Sequence, residues 1–163
     1  IDTPLASRSY SFIYNPFTQT GVLSQLQMDE NWSVKNGFVL GNDVFIDPAS
    51  SFTYVGGLKY APENGDTTFE ITALLGTGRF DQAEVFHNPQ LLDVVFTHKF
   101  TNNLIWKFEG LYGWTRNVPG IGFANWYGLV NYLTYDFNTQ LSGTIRGEIF
   151  DDCQGQRTGT SGV

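Results

Sequence analysis

The sequence has one cysteine, few charged residues and no long apolar run. Cys153 stands alone among 163 residues, which excludes an internal disulfide framework. Charged side chains make up 15% of the chain, a share well below that of an ordinary soluble domain. No stretch approaches the roughly 18 consecutive apolar residues of a membrane-spanning helix, so a chain of this kind can enter lipid only as part of a closed β-barrel.

The residue types that carry catalysis or hold cofactors are also scarce. The chain has two histidines, His87 and His98, and neither forms a zinc-ligand spacing with Cys153. It contains no nucleophile elbow, phosphate-binding loop or dinucleotide fingerprint. A net charge of −7 argues against a nucleic-acid partner. We therefore expect a protein that is not an enzyme and that uses no cofactor or metal.

Aromatic side chains and glycine are abundant, at 16% and 18 residues. They recur with a period of two, most clearly in residues 104–114, where Trp106 and Phe108 alternate with Lys107 and Glu109. This alternation indicates a strand whose two faces meet different environments. It suits a strand between lipid and water, and it also suits a half-buried strand of a soluble protein.

The same alternation predicts an all-β fold, an antiparallel up-and-down meander of about eight strands. We predict strands at residues 20–28, 32–41, 51–61, 67–76, 91–100, 104–114, 125–137 and 140–150. Short turns at 29–31, 62–66, 101–103 and 138–139 alternate with long connections at 42–50, 77–90 and 115–124. Outer-membrane barrels are wired in this way, with tight periplasmic turns and long outer loops. The prediction is a single domain over residues 1–163, forming an arc or the whole of a transmembrane β-barrel.

The residues before the first strand carry an aromatic cluster that includes Tyr10 and Phe12. We predict an ordered loop over 1–19, extracellular or folded inward, with one helical turn near 9–14. Arg8 in this loop is a candidate for narrowing a pore, and a loop salt bridge is the alternative. Both ends of the chain lack a closing strand, so we expect it to be a piece of a longer barrel.

In every predicted strand that carries charges, they lie opposite the apolar set. The candidate pore-lining residues are Lys35, Lys59, Glu70, Asp93, Lys99, Lys107, Glu109, Arg146 and Glu148. The candidates for lipid contact and an aromatic girdle are Trp32, Tyr60, Phe69, Phe100, Trp106, Phe108, Tyr112, Trp114, Tyr135 and Phe137. Asn131 and His98 are polar exceptions on the apolar side.

The bulk of the aromatic side chains favours a membrane barrel over a soluble one. In a soluble barrel the apolar set would point inward. The interior of an eight-stranded barrel is only just wide enough for side chains to fill, so this many aromatic rings would overfill it. Several rings also lie next to the short turns, where an interfacial girdle belongs. We therefore expect the apolar set to face lipid.

Four segments carry more specific patterns: residues 7–12 (SRSYSF), 16–23 (PFTQTGVL), 131–136 (NYLTYD) and 146–152 (RGEIFDD). Together they resemble the β-barrel porins of Gram-negative outer membranes, in the OmpL-like group. Cys153 departs from the Asp or Gly expected after the last segment. The resemblance implies a porin in contact with outer-membrane lipid that lets small hydrophilic solutes or ions diffuse passively. It also implies further strands before and after these eight.

Two other functions stay open: a non-conducting barrel that serves as an anchor or adhesion platform, and a soluble lipocalin-like barrel that binds a ligand. Chemistry at carboxylates is the weaker hypothesis. Asp151 and Asp152 with Asp43 or Asp47 have the ligand type that Ca²⁺ prefers, but solvated loop acids are the simpler interpretation.

Glu109 and Glu148 form a second candidate pair of carboxylates. They are chemically suited to acid–base work. We interpret them instead as lumen ion pairs with Lys107 and Arg146.

Overall fold

The computed structural model describes residues 5, 7–14, 18–41, 45, 52–76 and 90–159, except the side chain of residue 117. It contains helix α1 (Tyr10–Tyr14) and strands β1 (Gly21–Gln27), β2 (Trp32–Val39), β3 (Thr53–Tyr60), β4 (Thr67–Leu75), β5 (Gln90–Lys99), β6 (Leu104–Val118), β7 (Gly122–Asp136) and β8 (Ser142–Asp151). The predicted connections 42–50 and 77–90 lie largely outside these residues, as do Asp43, Asp47 and His87. Among the described residues, no helix has the length and hydropathy of a membrane span.

The strands form one antiparallel sheet in which each pairs with its neighbours in sequence, in the order β1 to β8. The predicted all-β meander is confirmed, and so is a helical turn near residues 9–14. Turns at 28–31, 61–66, 100–103 and 137–141 meet at one end of the sheet, called the turn end here. The opposite end is called the loop end. β1 and β8 form the two edges of an open arc.

The predicted long connection at 115–124 is wrong. β6 continues to Val118, and the Ile121 N–H donates a hydrogen bond of 3.0 Å to the Val118 carbonyl, which closes a tight turn. Gly120 and Gly122 have φ angles of 77° and 84°. Glycine adopts this left-handed conformation without steric cost. The glycines that suggested an extended loop therefore build a hairpin turn.

The sheet places the two alternating sets of side chains on two faces. The inner face is the one on which α1 packs, and it carries the most buried residues, such as Trp126 and Val130, both fully buried. The outer face carries exposed apolar side chains, for example Ile145 at 75% exposure. This is the reverse of a soluble ligand-binding barrel, whose apolar set points inward.

Strand pairing aligns the outer-face residues in rows that cross the sheet. One row is entirely aliphatic or glycine: Leu26, Val34, Leu58, Ile71, Val94, Gly110, Leu129 and Ile149. The next row toward the turn end is aromatic on five adjacent strands: Trp32, Tyr60, Phe69, Phe96 and Phe108. Nearer the loop end lie two further ring pairs: Phe38 with Tyr54 (centroids 5.7 Å apart) and Tyr112 with Trp114 (5.5 Å). An aliphatic band between aromatic girdles is the surface that membrane barrels present to lipid.

The inner face has an apolar row of its own toward the loop end. Its members are Leu23, Gly37, Val55, Leu74, Leu91, Gly113 and Trp126. Gly113 is required where it stands, because a Cβ there would lie 2.2 Å from Cε2 of the Trp126 indole. The missing side chain on β6 leaves the space that the indole of β7 fills.

Replacing Gly113 with valine should therefore destabilise the folded sheet by about 1–3 kcal/mol, the usual cost of overpacking. The free energy of unfolding is measured in urea by tryptophan fluorescence, with the protein refolded in detergent micelles. Gly147→Val on β8 is the matched control, since nothing lies within 4 Å of a Cβ at that position. Equal losses in the two variants would contradict the packing described for Trp126.

Candidate functional site

All of the charged residues predicted to line a pore lie on the inner face, in successive rows between the apolar row and the turn end. From the apolar row outward, the rows hold Lys35 and Asp93; then Lys59, Glu70, Glu109 and Glu148; then Lys107 and Arg146; then Lys99. We call this set the charged band. Residues far apart in sequence become neighbours in it because the register of each strand pair is continuous across the sheet.

An ion pair crosses three strands of the charged band. The Nζ of Lys35 on β2 lies 2.5 Å from Oε1 of Glu70 on β4, and both side chains are about 30% exposed. In the register, Lys35 stands opposite Gly57 of β3, which has no side chain to block the path. A Cβ there would lie 3.3 Å from the Ile71 carbonyl and 3.4 Å from Thr72 Oγ1, so little space is left for one.

A second ion pair lies within β8, and both of its residues also hydrogen-bond the N-terminal segment. Arg146 Nε lies 3.6 Å from Glu148 Oε2, and Arg146 Nη1 donates a hydrogen bond of 2.8 Å to the carbonyl of Ser7. The Glu148 carboxylate also accepts a hydrogen bond from the Tyr10 N–H. The described residues contain these two ion pairs, Lys35–Glu70 and Arg146–Glu148. The expected pairing of Arg146 with Glu148 is therefore present. The described residues show no ion pair between Lys107 and Glu109.

The carboxylates outside these ion pairs lie deep in the charged band. Glu109 is only 8% exposed, and Asp93 Oδ1 has no hydrogen-bond partner among the described residues. Asp93 pairs with Leu111, so Glu109 is its diagonal neighbour on β6. Lys107 and Lys99 lie in the rows nearer the turn end. Within the charged band, the two rows nearest the apolar row therefore hold four carboxylates and two lysines, and the two rows nearest the turns hold three cations.

The segment 7–14 packs on the inner face of β7 and β8, and we call it the inner segment. Ser9 caps its helix: the hydroxyl accepts a hydrogen bond of 3.1 Å from the Phe12 N–H, as an N-cap residue does. Ser11 is fully buried, and its Oγ occupies the place that a side chain at Gly128 would take. Glycine on β7 thus lets the helix approach the sheet backbone.

The turn after β8 holds the other side of the inner segment. The carboxylate of Asp152 accepts hydrogen bonds from the N–H groups of Gln156, Arg157 and Thr158, at 2.8–3.2 Å. The guanidinium of Arg157 then donates to the carbonyl of Tyr14 and lies 4.9 Å from the ring centroid of Trp126. Sequence analysis assigned no role to Arg157, because its partners are distant in the chain.

Arg8, the candidate for narrowing a pore, lies in the inner segment. It is exposed, and its guanidinium carbon lies 4.3 Å from the centroid of the Phe12 ring. Neither ion pair of the described residues includes it, so the contact seen for Arg8 is a cation–π interaction rather than a loop salt bridge.

The residues considered for metal binding or thiol chemistry have structural partners. Asp152 is engaged by backbone N–H groups, and no group of three or more histidine, cysteine or acidic side chains in the described part of the chain could hold a metal ion. Cys153 is exposed, and its thiol donates to Asp151 at 2.8 Å. This hydrogen bond and the nearby negative charge raise the pKa of the Cys153 thiol, which disfavours the reactive thiolate.

All the residues predicted for the lipid-facing side lie in the outer-face register, with Phe100 and Phe137 just past strand ends. The polar exceptions on this face are paired. Trp106 Nε1 donates to Asn131 at 3.1 Å, and Thr67 Oγ1 lies 2.8 Å from His98 Nδ1. Paired polar groups are what a surface in hydrocarbon requires, because lipid offers no hydrogen-bond partners.

An antiparallel meander with an apolar exposed face and a charged inner face defines the wall of a membrane-embedded β-barrel. The chain belongs to the family described as "Putative beta-barrel porin-2, OmpL-like", whose profile matches residues 2–163. This confirms the resemblance drawn from the four sequence segments. No curated protein and no solved structure matches the chain.

Lys35 and Glu70 should couple energetically in a double-mutant cycle of Lys35→Met and Glu70→Gln. We expect a coupling energy of about 0.5–1 kcal/mol, because the pair is close but partly exposed to solvent. Unfolding free energies at low and high salt provide the measurement, and the coupling should weaken as salt rises. The matched control is the cycle of Lys107→Met with Glu70→Gln. A coupling no larger than in this control would contradict the ion pair.

Proposed function

We propose that this chain forms part of the wall of a bacterial outer-membrane pore through which small hydrophilic solutes or ions diffuse passively. The observation that carries the proposal is the separation of the two faces: a charged band on the inner face and a continuous aliphatic row, flanked by rings, on the outer face. In this proposal the charged band lines a water-filled lumen and the outer face contacts membrane lipid. The chain performs no catalysis.

The distribution of charge supports a role of the charged band in ion preference. Arginine, lysine and carboxylate side chains that line a pore create a local field that tunes which ions pass. Lys107 and Lys99 are outside the ion pairs of the described residues and lie nearest the turn end. They are diagonal neighbours on β5 and β6, so they reinforce each other at that mouth.

Changing Lys107 and Arg146 to glutamate should shift the pore toward cations, since positive charge in the lumen is replaced by negative charge. The reversal potential in a salt gradient across a planar bilayer measures this shift. Lys107→Glu alone is the cleaner variant, because Arg146 also contacts Ser7. The control is Glu63→Lys, which adds positive charge in the exposed β3–β4 turn, outside the lumen. An unchanged reversal potential would remove both residues from the pore lining.

We further propose that the inner segment narrows the lumen. It lies on the inner face beside the charged band and is held there by Arg146, Glu148 and Arg157. An inward-folded segment reduces the cross-section available to solutes. Because the inner segment is attached to β8 and to the turn after β8, the narrowing depends on the contacts of these three side chains.

Arg157→Met should therefore raise the single-channel conductance, because it removes the hydrogen bonds to Tyr14 that hold the C-terminal end of α1. Arg116→Met is the matched control, an exposed arginine on β6 that keeps these contacts intact. Planar-bilayer recordings of the refolded full-length protein give the conductance of both variants. If Arg157→Met conducts like the wild type, the inner segment is not a constriction.

One observation favours a second candidate, a non-conducting barrel that acts as an anchor or adhesion platform. β6 and β7 have 15 residues each, against the roughly 9–11 that cross a bilayer. Their hairpin extends past the other strands and exposes Ile121 and Phe123 at about half of their surface. A barrel that shows no conductance after refolding would support this function instead of the pore.

A further inference from the structure

The region around the inner segment holds buried polar atoms that have no hydrogen-bond partner. Seven such side-chain atoms occur among the described residues. Four of them lie in the inner segment, on β7 beneath it or in the turn that holds it: Ser11 Oγ, Trp126 Nε1, Tyr132 OH and Gln156 Oε1. Native proteins pair nearly all of their buried polar groups, so several unpaired ones at a single contact require an explanation.

The contacts of the inner segment place these groups beneath it. Tyr132 is 2% exposed and is the direct register partner of Arg146, which donates to the carbonyl of Ser7. Trp126 is fully buried beside Arg157, which holds the C-terminal end of α1. The unpaired groups of β7 therefore lie near the two ends of the inner segment.

Two opposing contributions act on this docked position. Apolar burial favours it, including the stacking of Tyr14 on Phe150 with ring centroids 5.2 Å apart, because water would cover these surfaces if the segment left. The hydroxyls of Ser11 and Tyr132 oppose it, because each has lost its water and gained no hydrogen bond among the described residues. These hydroxyls narrow the free-energy gap between the docked position and a released one.

The polar attachments of the inner segment can be exchanged for water. Each joins an ionised side chain of β8 or of the following turn to a main-chain group of the segment. On release, the charged groups replace these partners with water, an exchange that is close to balanced. Water already reaches the free side of the segment, where Tyr10 is 56% and Ile13 is 49% exposed. Release therefore costs the attachments little, and the buried hydroxyls gain partners.

We propose that the inner segment is a gate. It exchanges between the docked position, in which it narrows the lumen, and a released position, in which water reaches the unpaired groups of β7. This inference rests on the proposed function in that the inner face lines a lumen, and it adds that the constriction opens and closes. Motions of this kind take microseconds to seconds. Single-channel recordings resolve the slower part of that range as switching between two conductance levels.

Tyr132→Phe removes one buried hydroxyl and keeps the ring, so it should favour the docked position. In planar-bilayer recordings of the refolded full-length protein, the wild type should switch between two levels. The ratio of time at the higher level to time at the lower level should fall about tenfold in Tyr132→Phe, the scale of one buried unpaired hydroxyl. Tyr135→Phe is the matched control, on the outer face of the same strand, and should keep the wild-type ratio.

Two results of these recordings would overturn the gate. One is a single conductance level in the wild type. The other is a wild-type ratio in Tyr132→Phe, which ordered water molecules under a fixed segment would produce. Arg157→Met removes an attachment instead of an unpaired group, so it should raise the same ratio and leave both levels unchanged.

A disulfide across the docked contact tests the movement itself. The Cβ of Ser11 lies 3.3 Å from the position of a Cβ at Gly128, close to the roughly 3.5–4.5 Å that disulfides span. Ser11→Cys with Gly128→Cys, in a Cys153→Ser background, should show only the lower level when oxidised and both levels after reduction. Ser11→Cys alone in that background is the control and should not respond to the oxidant. Both levels in the oxidised pair, with the disulfide verified by mass, would overturn the gate.

Hydrogen exchange separates a failure of the gate from a failure of the pore. Mass spectrometry of the protein in micelles measures exchange of the amides of residues 7–14 and requires no conductance. Exchange should be slower in the oxidised cysteine pair than in the reduced one. A protein that conducts, but whose exchange does not respond to the disulfide, overturns the gate and leaves the pore. A protein that does not conduct, but whose exchange responds, overturns the pore and leaves the movement. Tyr132→Phe should slow the same exchange, which keeps the test decisive if the cysteine pair does not refold.

Discussion

The backbone hydrogen-bond ladder between neighbouring strands is the constraint on which the rest of this structure depends. In hydrocarbon no water is present to satisfy N–H and C=O groups, so each strand must bond to the next. The ladder also sets the register, and a slip of one residue would exchange the two faces of a strand. The register is continuous from β1 to β8 apart from one shift near Arg116, so it aligns the side chains of all eight strands in rows across the sheet.

The rows explain how a chain with few charges can have an organised electrostatic surface. Lys35 and Glu70 are 35 positions apart in the chain, yet they meet across β3 because Gly57 lies between them. Asp93 and Glu109 become diagonal neighbours through the pairing of β5 with β6. Glycine has a second use on the same face, where Gly113 and Gly128 admit the Trp126 indole and the Ser11 hydroxyl. These glycines thus leave the space in which charged, aromatic and hydroxyl groups of neighbouring elements lie.

The part of the candidate site that sequence could predict is its division between faces. Alternation in β6 placed Lys107 and Glu109 on one side and Trp106 and Phe108 on the other, and the structure has them so. The partners of these charges could not be predicted, because they depend on register and on side-chain reach across strands. The contacts of Arg157 could not be predicted for the same reason, since they join residues near opposite ends of the chain.

By itself the sequence determined the class of fold, because a period of two, tight turn residues and a shortage of charge leave few alternatives to an antiparallel meander. It also determined which side chains share a face, since alternation along a strand is a local property. Tertiary structure alone decided that the inner face is divided into an apolar row and a charged band, that residues 115–124 complete a hairpin, and that the inner segment lies against β7 and β8. These features arise from pairing between distant residues, whose energies no local pattern encodes.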